Sequence, residues 1–318
     1  MKVLVTGGAG FIGSHIVELG LARGHEVTVL DNLSSGSSAH VPAGVKLLQV
    51  DLRDRAATLN AVAASRPDAV SHQAGQVSVS ASVEKPLVDA EINIIGSLNL
   101  LDACLKCAVP RFVFASTGGA IYGEVPAGTR ATTATATCPE SPYAIGKLTI
   151  EHYLRIHNQK QALRSFSLRY ANVYGPRQGV GGESGVVSIF LARACRGEAL
   201  AIHGRDQLGD EGCIRDYIYV ADIARANWLA LEGQIDDALI NLGTGTGTST
   251  QFLANSLATV MGQPLRTTFA APRADDLRRS VLDPEALLSV LGAFTPLDVG
   301  LSETVRWYDE HRAPPSSL

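Results

Sequence analysis

The chain has 318 residues, enough for one large α/β unit or two closely joined lobes, and its 46% hydrophobic share excludes a disordered chain. A net charge of −4 argues against a nucleic-acid binder, and the absence of any apolar run of about 18 residues argues against a membrane-spanning protein. Five cysteines, an odd and sparse count, favour reduced thiols and a cytoplasmic location.

Short apolar runs alternate with helix-length amphipathic stretches through the first half of the chain. Strands are predicted over 3–6, 26–31, 45–50, 69–72 and 111–116, and helices over 11–23, near 54–66 and near 84–108. A helix over 143–159 leads into a strand over 164–170, and 220–231 is helical again. This alternation predicts an α/β fold with a doubly wound parallel sheet of the Rossmann type, which binds ligands beyond the carboxyl ends of its strands.

A glycine-rich turn follows the first predicted strand. Its residues are Gly7, Gly8, Ala9, Gly10, Phe11, Ile12 and Gly13. Glycines at this spacing permit a tight turn and a close approach of the backbone to phosphate, and the next helix directs unpaired N–H groups at the same place. A structural turn is the alternative, but the position between a strand and an amphipathic helix favours a dinucleotide pyrophosphate site.

Acidic residues end the next two predicted strands. Asp31 lies eighteen residues after Gly13, where a carboxylate accepts hydrogen bonds from the adenosine ribose and repels a 2′-phosphate. Asp51, followed by Leu52, ends the third strand and is expected to face the adenine. This placement favours NAD over its phosphorylated form.

Tyr143 and Lys147 are four residues apart at the start of a predicted helix, so they share one face. Ser141 and Pro142 suit the N-cap and the first helical position. A lysine one turn from a tyrosine is expected to lower the pKa of the phenol from about 10 toward that of a useful base. An exposed surface pair is the alternative when this spacing stands alone.

Further motifs continue along the chain. They are Asp31-Asn32, Asp51-Leu52, NIIGS at 93–97, Ser116-Thr117, Tyr122-Gly123, LRYANVYGPR at 168–177 and RDYIYV at 215–220. With these, nearly the whole chain resembles the extended short-chain dehydrogenase/reductase family, and within it the 4-epimerases of UDP-glucose and UDP-galactose. The resemblance implies an NAD-dependent isomerase of carbohydrate metabolism that inverts carbon 4 through a transient 4-keto sugar.

The resemblance also assigns residues to the cofactor. Besides Gly7, Gly10, Phe11, Ile12, Gly13, Asp31, Asp51 and Leu52, these are Asn32, Gln73, Ala74, Asn93, Ser116, Tyr143, Lys147 and Tyr170. The family's catalytic triad is a hydroxyl, Tyr143 and Lys147. Its hydroxyl normally lies four residues before the Tyr-Gly pair, but Gly118 stands there, so Thr117 is the first candidate and Ser116 the second.

The loop after Thr117 distinguishes this chain from relatives of the same family. The 4,6-dehydratases place an Asp-Glu pair there and decarboxylating relatives carry a nearby glutamate, whereas this chain has Gly118-Gly119, which cannot transfer protons. Epimerisation needs no further acid or base. In the implied cycle Tyr143 takes the proton of the sugar 4-hydroxyl, carbon 4 gives hydride to the nicotinamide, and hydride returns to the other face.

The resemblance places the substrate in the second half of the chain. Arg215 and Arg273 match phosphate-binding positions, and Asn172 contacts the sugar or the first phosphate; Thr117 and Tyr143 reach the reacting hydroxyl. Ser280 matches a position that is small in relatives that accept N-acetyl sugars. It predicts activity on UDP-N-acetylglucosamine and UDP-N-acetylgalactosamine as well.

The predicted organisation is an NAD-binding domain over 1–170, to which 220–238 returns, and a smaller α/β nucleotide-sugar lobe over 171–318. The glycine-rich segment 175–185, with Arg177 and Glu183, is expected to form a substrate lid. Helices near 84–108 and 143–159 imply a homodimer by resemblance only. Cys104 and Cys107 are expected to be ordinary helix cysteines and no metal site is predicted.

Two alternative interpretations remain open. The chief rival enzyme is a UDP-glucuronate 4-epimerase or another nucleotide-sugar oxidoreductase of the same family. A non-catalytic NAD-sensing protein is the rival from another class, although such a protein has no need of Tyr143 and Lys147.

Overall fold

Seven parallel strands form the main sheet in a computed structural model that describes residues 1–160, 163–179, 185–273 and 276–311, apart from the side chain of Leu287. The strands are β1 (Lys2–Thr6), β2 (Glu26–Asp31), β3 (Lys46–Gln49), β4 (Ala69–His72), β5 (Arg111–Thr117), β6 (Arg164–Tyr170) and β10 (Leu239–Leu242). Their order is β10-β6-β5-β4-β1-β2-β3. The order reverses between β1 and β4, which opens a crevice at the carboxyl ends of these strands.

Helices cover both faces of this sheet. They are α1 (Phe11–Ala22), α2 (Arg55–Ser65), α3 (Val79–Glu84), α4 (Pro86–Ala90), α5 (Ser97–Lys106), α6 (Pro142–Gln159) and α8 (Val220–Glu232). Alternation along β1 sends Val3 and Val5 into a core that includes residues of α1 and α8, and Leu4 into a second core with residues of α2, α5 and α6. Apolar side chains of the central strand β1 thus enter cores on both faces of the sheet, as the prediction of a doubly wound parallel sheet requires.

The helix predicted near 84–108 is wrong as a single element. Pro86 occupies the first turn of α4, where a residue without an N–H is tolerated, and α3 ends just before it. Residues Glu91–Gly96 then form a π-helical segment before α5 begins. Such segments often mark functional sites, and this one carries Asn93.

Helix α8 packs against α1, far from it in the chain. The Trp228 ring is fully buried, donates from Nε1 to the carbonyl oxygen of Ile16 at 2.8 Å and stacks on His25. Residue 20 is glycine in this contact because a Cβ would overlap the Trp228 ring. Strand β10 follows α8 and pairs with β6, so 239–242, which the sequence analysis assigned to the second lobe, lies in the main sheet. Its apolar side chains are buried there.

The rest of the chain forms a smaller α/β unit. One sheet holds β7 (Asn172–Tyr174), β9 (Ile214–Tyr219), β11 (Gly247–Ser249) and β13 (Arg279–Ser280), and β8 (Leu200–His203) pairs with β12 (Thr267–Ala270). Its helices are α7 (Val186–Cys195), α9 (Thr250–Val260) and α11 (Leu297–His311), whereas α10 (Glu285–Leu291) packs against β10 of the main sheet and against α8. Tyr174, Phe190, Leu253 and Leu301 are among the residues of the core of the smaller unit.

The predicted lid is described only in part, because 180–184, including Glu183, lie outside the described residues. In the described part of the chain, no helix is both long and apolar enough to cross a membrane.

Candidate active site

The turn between β1 and α1 keeps its backbone open to a ligand. Gly7 has a φ of +66°, and a Cβ there would lie 2.6 Å from the backbone nitrogen of Ala74. A Cβ on Gly13 would overlap the carbonyl oxygen of Gly7. Only glycine fits both positions, so the turn presents main chain to the crevice.

Helix α1 begins directly behind this turn. Gly10 is its N-cap residue and Phe11 and Ile12 are its first helical residues; no side chain caps it and its first turn holds no acidic residue. The N–H groups of the first helical residues, Phe11, Ile12 and Gly13, therefore remain available to an anion, and the helix dipole favours one. The residues present fit a dinucleotide pyrophosphate.

Asp31 lies beside this turn, at the carboxyl end of β2. The residue is 7% exposed, and its carboxylate accepts hydrogen bonds from the backbone N–H groups of Ala9 at 3.0 Å and Leu33 at 2.8 Å. These two bonds fix the carboxylate beside the turn and leave it lone pairs for further hydrogen-bond donors.

Asp51 and Leu52 follow β3 on the next strand along. The Asp51 carboxylate accepts from Arg53 Nη2 at 2.8 Å and from Asn32 Nδ2 at 3.1 Å. The hydrogen bond from the Arg53 side chain holds the pKa of Asp51 well below its usual range. Asn32, Asp51 and half-buried Leu52 thus gather at one edge of the crevice.

The end of β4 reaches the crevice through an amide network. The Tyr170 hydroxyl donates to Gln73 Oε1 at 3.1 Å and accepts from Asn227 Nδ2 at 2.8 Å. Burial raises the pKa of Tyr170 above its usual range. The next residue, Ala74, packs its backbone against Gly7 and donates its N–H to Thr6 Oγ1 at 3.3 Å.

Helix α4 brings Asp89 to the crevice, and the π-helical segment that follows it brings Asn93. Asp89 Oδ1 accepts from Asn93 Nδ2 and from Gln76 Nε2, both at 2.8 Å, and Asn93 Oδ1 accepts the Gln76 N–H at 3.0 Å. Asp89 is 2% exposed, and burial raises its pKa. Asp89 was not among the predicted site residues, although its position four residues before Asn93 places both on one helix face.

Tyr143 and Lys147 lie one turn apart at the start of α6, where Ser141 caps the helix as predicted. Lys147 is 4% exposed, and its Nζ donates to the carbonyl oxygen of Ala115 at 2.9 Å. The same Nζ lies 5.0 Å from the centroid of the Phe114 ring and 5.9 Å from that of Tyr143. The lysine is therefore tied to the end of β5.

The expectation that Lys147 lowers the pKa of Tyr143 is wrong for the protein itself. Burial raises the pKa of Tyr143 to about 12, and the negative charge of Asp89 raises it further, while a hydrogen bond with Thr117 lowers it. Burial lowers the pKa of Lys147 to about 8, against the opposing effect of Asp89. For Tyr143 the lost hydration of the buried phenol outweighs the effect of the hydrogen bond with Thr117, and for Lys147 the lost hydration of the ammonium outweighs the attraction of Asp89.

Adjacent hydroxyls at the end of β5 face different partners. Thr117 faces Tyr143, and a hydrogen bond between them lowers the pKa of the phenol. Ser116 Oγ donates to Glu151 Oε1 at 2.5 Å, inside a buried ion pair in which Arg169 Nη2 lies 2.6 Å from Glu151 Oε2. The side chain of Ser116 is thus engaged away from Tyr143, and only Thr117 joins the Tyr143–Lys147 pair.

The smaller unit brings three predicted substrate residues to neighbouring strands. Ser280 on β13 is in register with Arg215 on β9, and Asn172 on β7 with Tyr217 of the same strand. Ser280 is 2% exposed. A Cβ on Gly119 would lie 3.3 Å from Asn172 Oδ1, so the amide of Asn172 reaches the loop that follows Thr117.

Two other arginines take separate positions. Arg273 is exposed, and its Nη2 donates to His203 Nε2 at 2.9 Å, which places it beside β8 instead of on the β9 sheet. Arg177, predicted to lie in a lid, donates to Glu18 Oε1 at 2.8 Å and to His15 Nδ1 at 3.0 Å. It anchors the start of that segment to α1.

Comparison with known proteins agrees with this geometry. The NAD dependent epimerase/dehydratase family matches residues 3–243. UDP-glucose 4-epimerase of Thermus thermophilus, solved with NAD, superposes with a TM-score of 0.94 at 48% identity, covering 98% of this chain and 100% of that one.

Two further solved structures are similar over nearly the whole chain. UDP-glucose 4-epimerase of Thermotoga maritima, solved with UDP-glucose, has a TM-score of 0.90 at 41% identity, covering 98% of this chain and 99% of that one. UDP-N-acetylglucosamine 4-epimerase from Methanobrevibacter ruminantium, solved with UDP-N-acetylmuramic acid, has a TM-score of 0.87 at 32% identity, with 98% and 99% covered.

Proposed function

The chain belongs to the NAD dependent epimerase/dehydratase family, and from this premise we propose that it interconverts UDP-glucose with UDP-galactose and UDP-N-acetylglucosamine with UDP-N-acetylgalactosamine. It is an enzyme, an isomerase of the UDP-hexose 4-epimerase type, and NAD is its cofactor. The single observation that carries the proposal is the group formed by Thr117, Tyr143 and Lys147 at the end of β5.

This group supplies one proton acceptor and no second acid on its loop. Tyr143, hydrogen-bonded by Thr117, takes the proton of the sugar 4-hydroxyl and later returns it. Lys147 adds a positive charge near the phenol ring and is oriented by the Ala115 carbonyl oxygen. Since Gly118 and Gly119 follow Thr117, neither of these two positions offers an acid or base for elimination of water or for decarboxylation. Inversion at carbon 4 is the reaction that needs no more than this.

NAD supplies the hydride chemistry at carbon 4 when it is bound. We assign its pyrophosphate to the turn of Gly7, Gly10 and Gly13 with the first turn of α1, and its adenosine ribose to Asp31 and Asn32. Asp51 and Leu52 border the adenine, and Asn93, Gln73, Ala74, Tyr170 and the backbone of Ser116 border the nicotinamide half.

We assign the UDP-sugar to the smaller unit, with Arg215 and Arg273 at the diphosphate and Asn172 at the sugar. The register of Ser280 with Arg215 supports this placement. The small side chain of Ser280 leaves room for an acetamido group. In this assignment the unit formed by 1–170 and 220–242 binds the cofactor, and the smaller unit binds the sugar nucleotide.

We also propose a homodimer in the cytoplasm. Helices α3, α4 and α6 expose large apolar side chains: Val83 at 53%, Leu87 at 79%, Ile145 at 50% and Tyr153 at 43%. An apolar surface of this kind is typical of a protein–protein interface. The five cysteines are all free thiols, which suits a reducing compartment.

The test is turnover by the purified protein with no NAD added. UDP-galactose, UDP-N-acetylgalactosamine and UDP-glucuronate are supplied separately, and the products are separated by chromatography. The proposal expects the first two to be converted. Turnover of UDP-glucuronate alone would assign the rival substrate, and turnover of none would refute the epimerase.

Ser280 variants test the acetylated substrates. Ser280→Tyr should lower the ratio of acetylated to plain turnover by at least roughly 10-fold, since the ring takes the space of the acetamido group. Ser280→Ala removes the hydroxyl without adding bulk and should keep the ratio. An unchanged ratio in Ser280→Tyr would contradict the assignment of this pocket.

A further inference from the structure

Leu282 fills a space between two glycines near the catalytic loop. A Cβ on Gly118 would lie 3.0 Å from Leu282 Cδ2 and closer still to Cδ1. A Cβ on Gly243 would lie 2.9 Å from Leu282 Cβ. Leu282 itself is fully buried, so its side chain occupies the volume that any side chain at 118 would need.

The main chain of Leu282 is held from the other side. Its N–H donates to Asp216 Oδ2 at 3.2 Å, and the same buried carboxylate accepts the N–H groups of Thr244 at 2.9 Å and Gly245 at 3.0 Å. Leu282 also forms a parallel bridge with Ala131. These contacts keep Leu282 from backing away from the loop.

The loop that follows Thr117 is hydrogen-bonded to β6 on its other side. The N–H groups of Gly118 and Gly119 both donate to the carbonyl oxygen of Tyr170, at 2.7 and 3.2 Å. A Cβ on Gly118 would also lie 3.1 Å from the carbonyl oxygen of Arg169. The chain leaving Thr117 is therefore confined between β6 and Leu282.

We propose that Leu282 is a positioning residue for the reaction. Its side chain occupies the space that a side chain at position 118 would need, so the hydroxyl that works with Tyr143 is supplied by Thr117. The inference rests on the proposed epimerase activity. It accounts for the glycine at the position where the family has its hydroxyl, because a threonine there would collide with Leu282. It also ties the strand that carries Ser280 to the loop that carries Thr117.

The test combines Gly118→Ala with Leu282→Ala. Gly118→Ala should displace the loop and lower kcat on UDP-galactose by on the order of 10- to 100-fold, with KM nearly unchanged, because a misplaced hydroxyl affects the chemical step. The acid limb of its pH–rate profile should move to higher pH, since the hydrogen bond of Thr117 lowers the pKa of Tyr143. Adding Leu282→Ala should restore kcat and the profile to those of Leu282→Ala alone.

Val281→Ala supplies the matched control. Val281 is equally buried on the same segment, but it lies near Gly247 instead of the catalytic loop. Combined with Gly118→Ala it should give no rescue. Rescue by Val281→Ala, or losses that simply multiply in Gly118→Ala/Leu282→Ala, would overturn the proposal.

The two hypotheses fail separately. A wild-type protein that converts UDP-galactose while Gly118→Ala keeps full kcat refutes the positioning role and leaves the epimerase standing. A wild-type protein that converts no UDP-hexose refutes the epimerase, and the positioning role falls with it.

Discussion

Ser116 and Thr117 are adjacent hydroxyls with opposite expected effects. Ser116→Ala removes a hydroxyl that donates to Glu151 within the buried Arg169–Glu151 pair. Thr117→Val removes the hydroxyl bonded to Tyr143 while keeping the shape of the side chain. Ser116→Ala should lower the free energy of unfolding and leave kcat nearly unchanged. Thr117→Val should lower kcat and leave the free energy of unfolding nearly unchanged.

The magnitudes follow from the partners of the two hydroxyls. Ser116 is 3% exposed, and a buried hydrogen bond to a charged group contributes about 1.5–3 kcal/mol. A protein of ordinary stability still folds after such a loss. Thr117→Val should lower kcat by on the order of 100-fold, because the phenol loses the bond that orients it.

Urea unfolding and kcat on UDP-galactose, measured on the same preparations, separate the two effects. The expected pattern is a lower unfolding midpoint with near-native kcat for Ser116→Ala, and a native midpoint with low kcat for Thr117→Val. If Ser116→Ala lost as much kcat as Thr117→Val without a change in stability, the assignment of the working hydroxyl would be refuted.

Three more predictions follow from the same geometry. Tyr143→Phe should lower kcat by at least about 100-fold while the purified protein still carries NAD, and high activity in this variant would remove Tyr143 as the base. Asp89→Asn removes a negative charge that raises the pKa of both Tyr143 and Lys147. The acid limb of the pH–rate profile, set by Tyr143, and the alkaline limb, set by Lys147, should therefore both move to lower pH. An unchanged profile would show that Asp89 has only a packing role. Gly20→Ala forces a methyl group into the Trp228 ring and should cost about 1–3 kcal/mol in urea unfolding, with kcat retained, whereas an unchanged midpoint would contradict that packing.

The main sheet was largely predictable from the sequence. The alternation of short strands with helix-length segments predicted β2, β4 and β6 at their observed limits. Pro86 also indicates the break between α3 and α4, but the helical periodicity on either side of it led to the prediction of one continuous helix. The π-helical segment had no such signal, because its hydrogen-bond shift follows from tertiary packing and not from the order of residue types.

The candidate site was predictable where main chain or motif spacing defines it. The glycine turn and the Tyr143–Lys147 pair lie where expected. The pKa of Tyr143 was misjudged because burial, which no spacing reveals, raises it more than the hydrogen bond with Thr117 lowers it. Asp89 was overlooked because a lone carboxylate in a helical pattern is normally solvated, and only its packing with Gln76 and Asn93 buries it.

The pairing of β10 with β6 sets an order of events during synthesis. Until Trp228 has left the ribosome α1 lacks the ring that packs on it, and until Leu242 has left it β6 has an unpaired edge. At about 5–20 residues per second, several seconds separate the emergence of Tyr170 from that of Leu242. In that interval an apolar strand edge stands open to other chains. The cofactor-binding unit therefore begins the sequence but cannot complete its sheet until 171–242, which includes part of the smaller unit, has been made. A nascent chain stalled after 170 should be prone to aggregation.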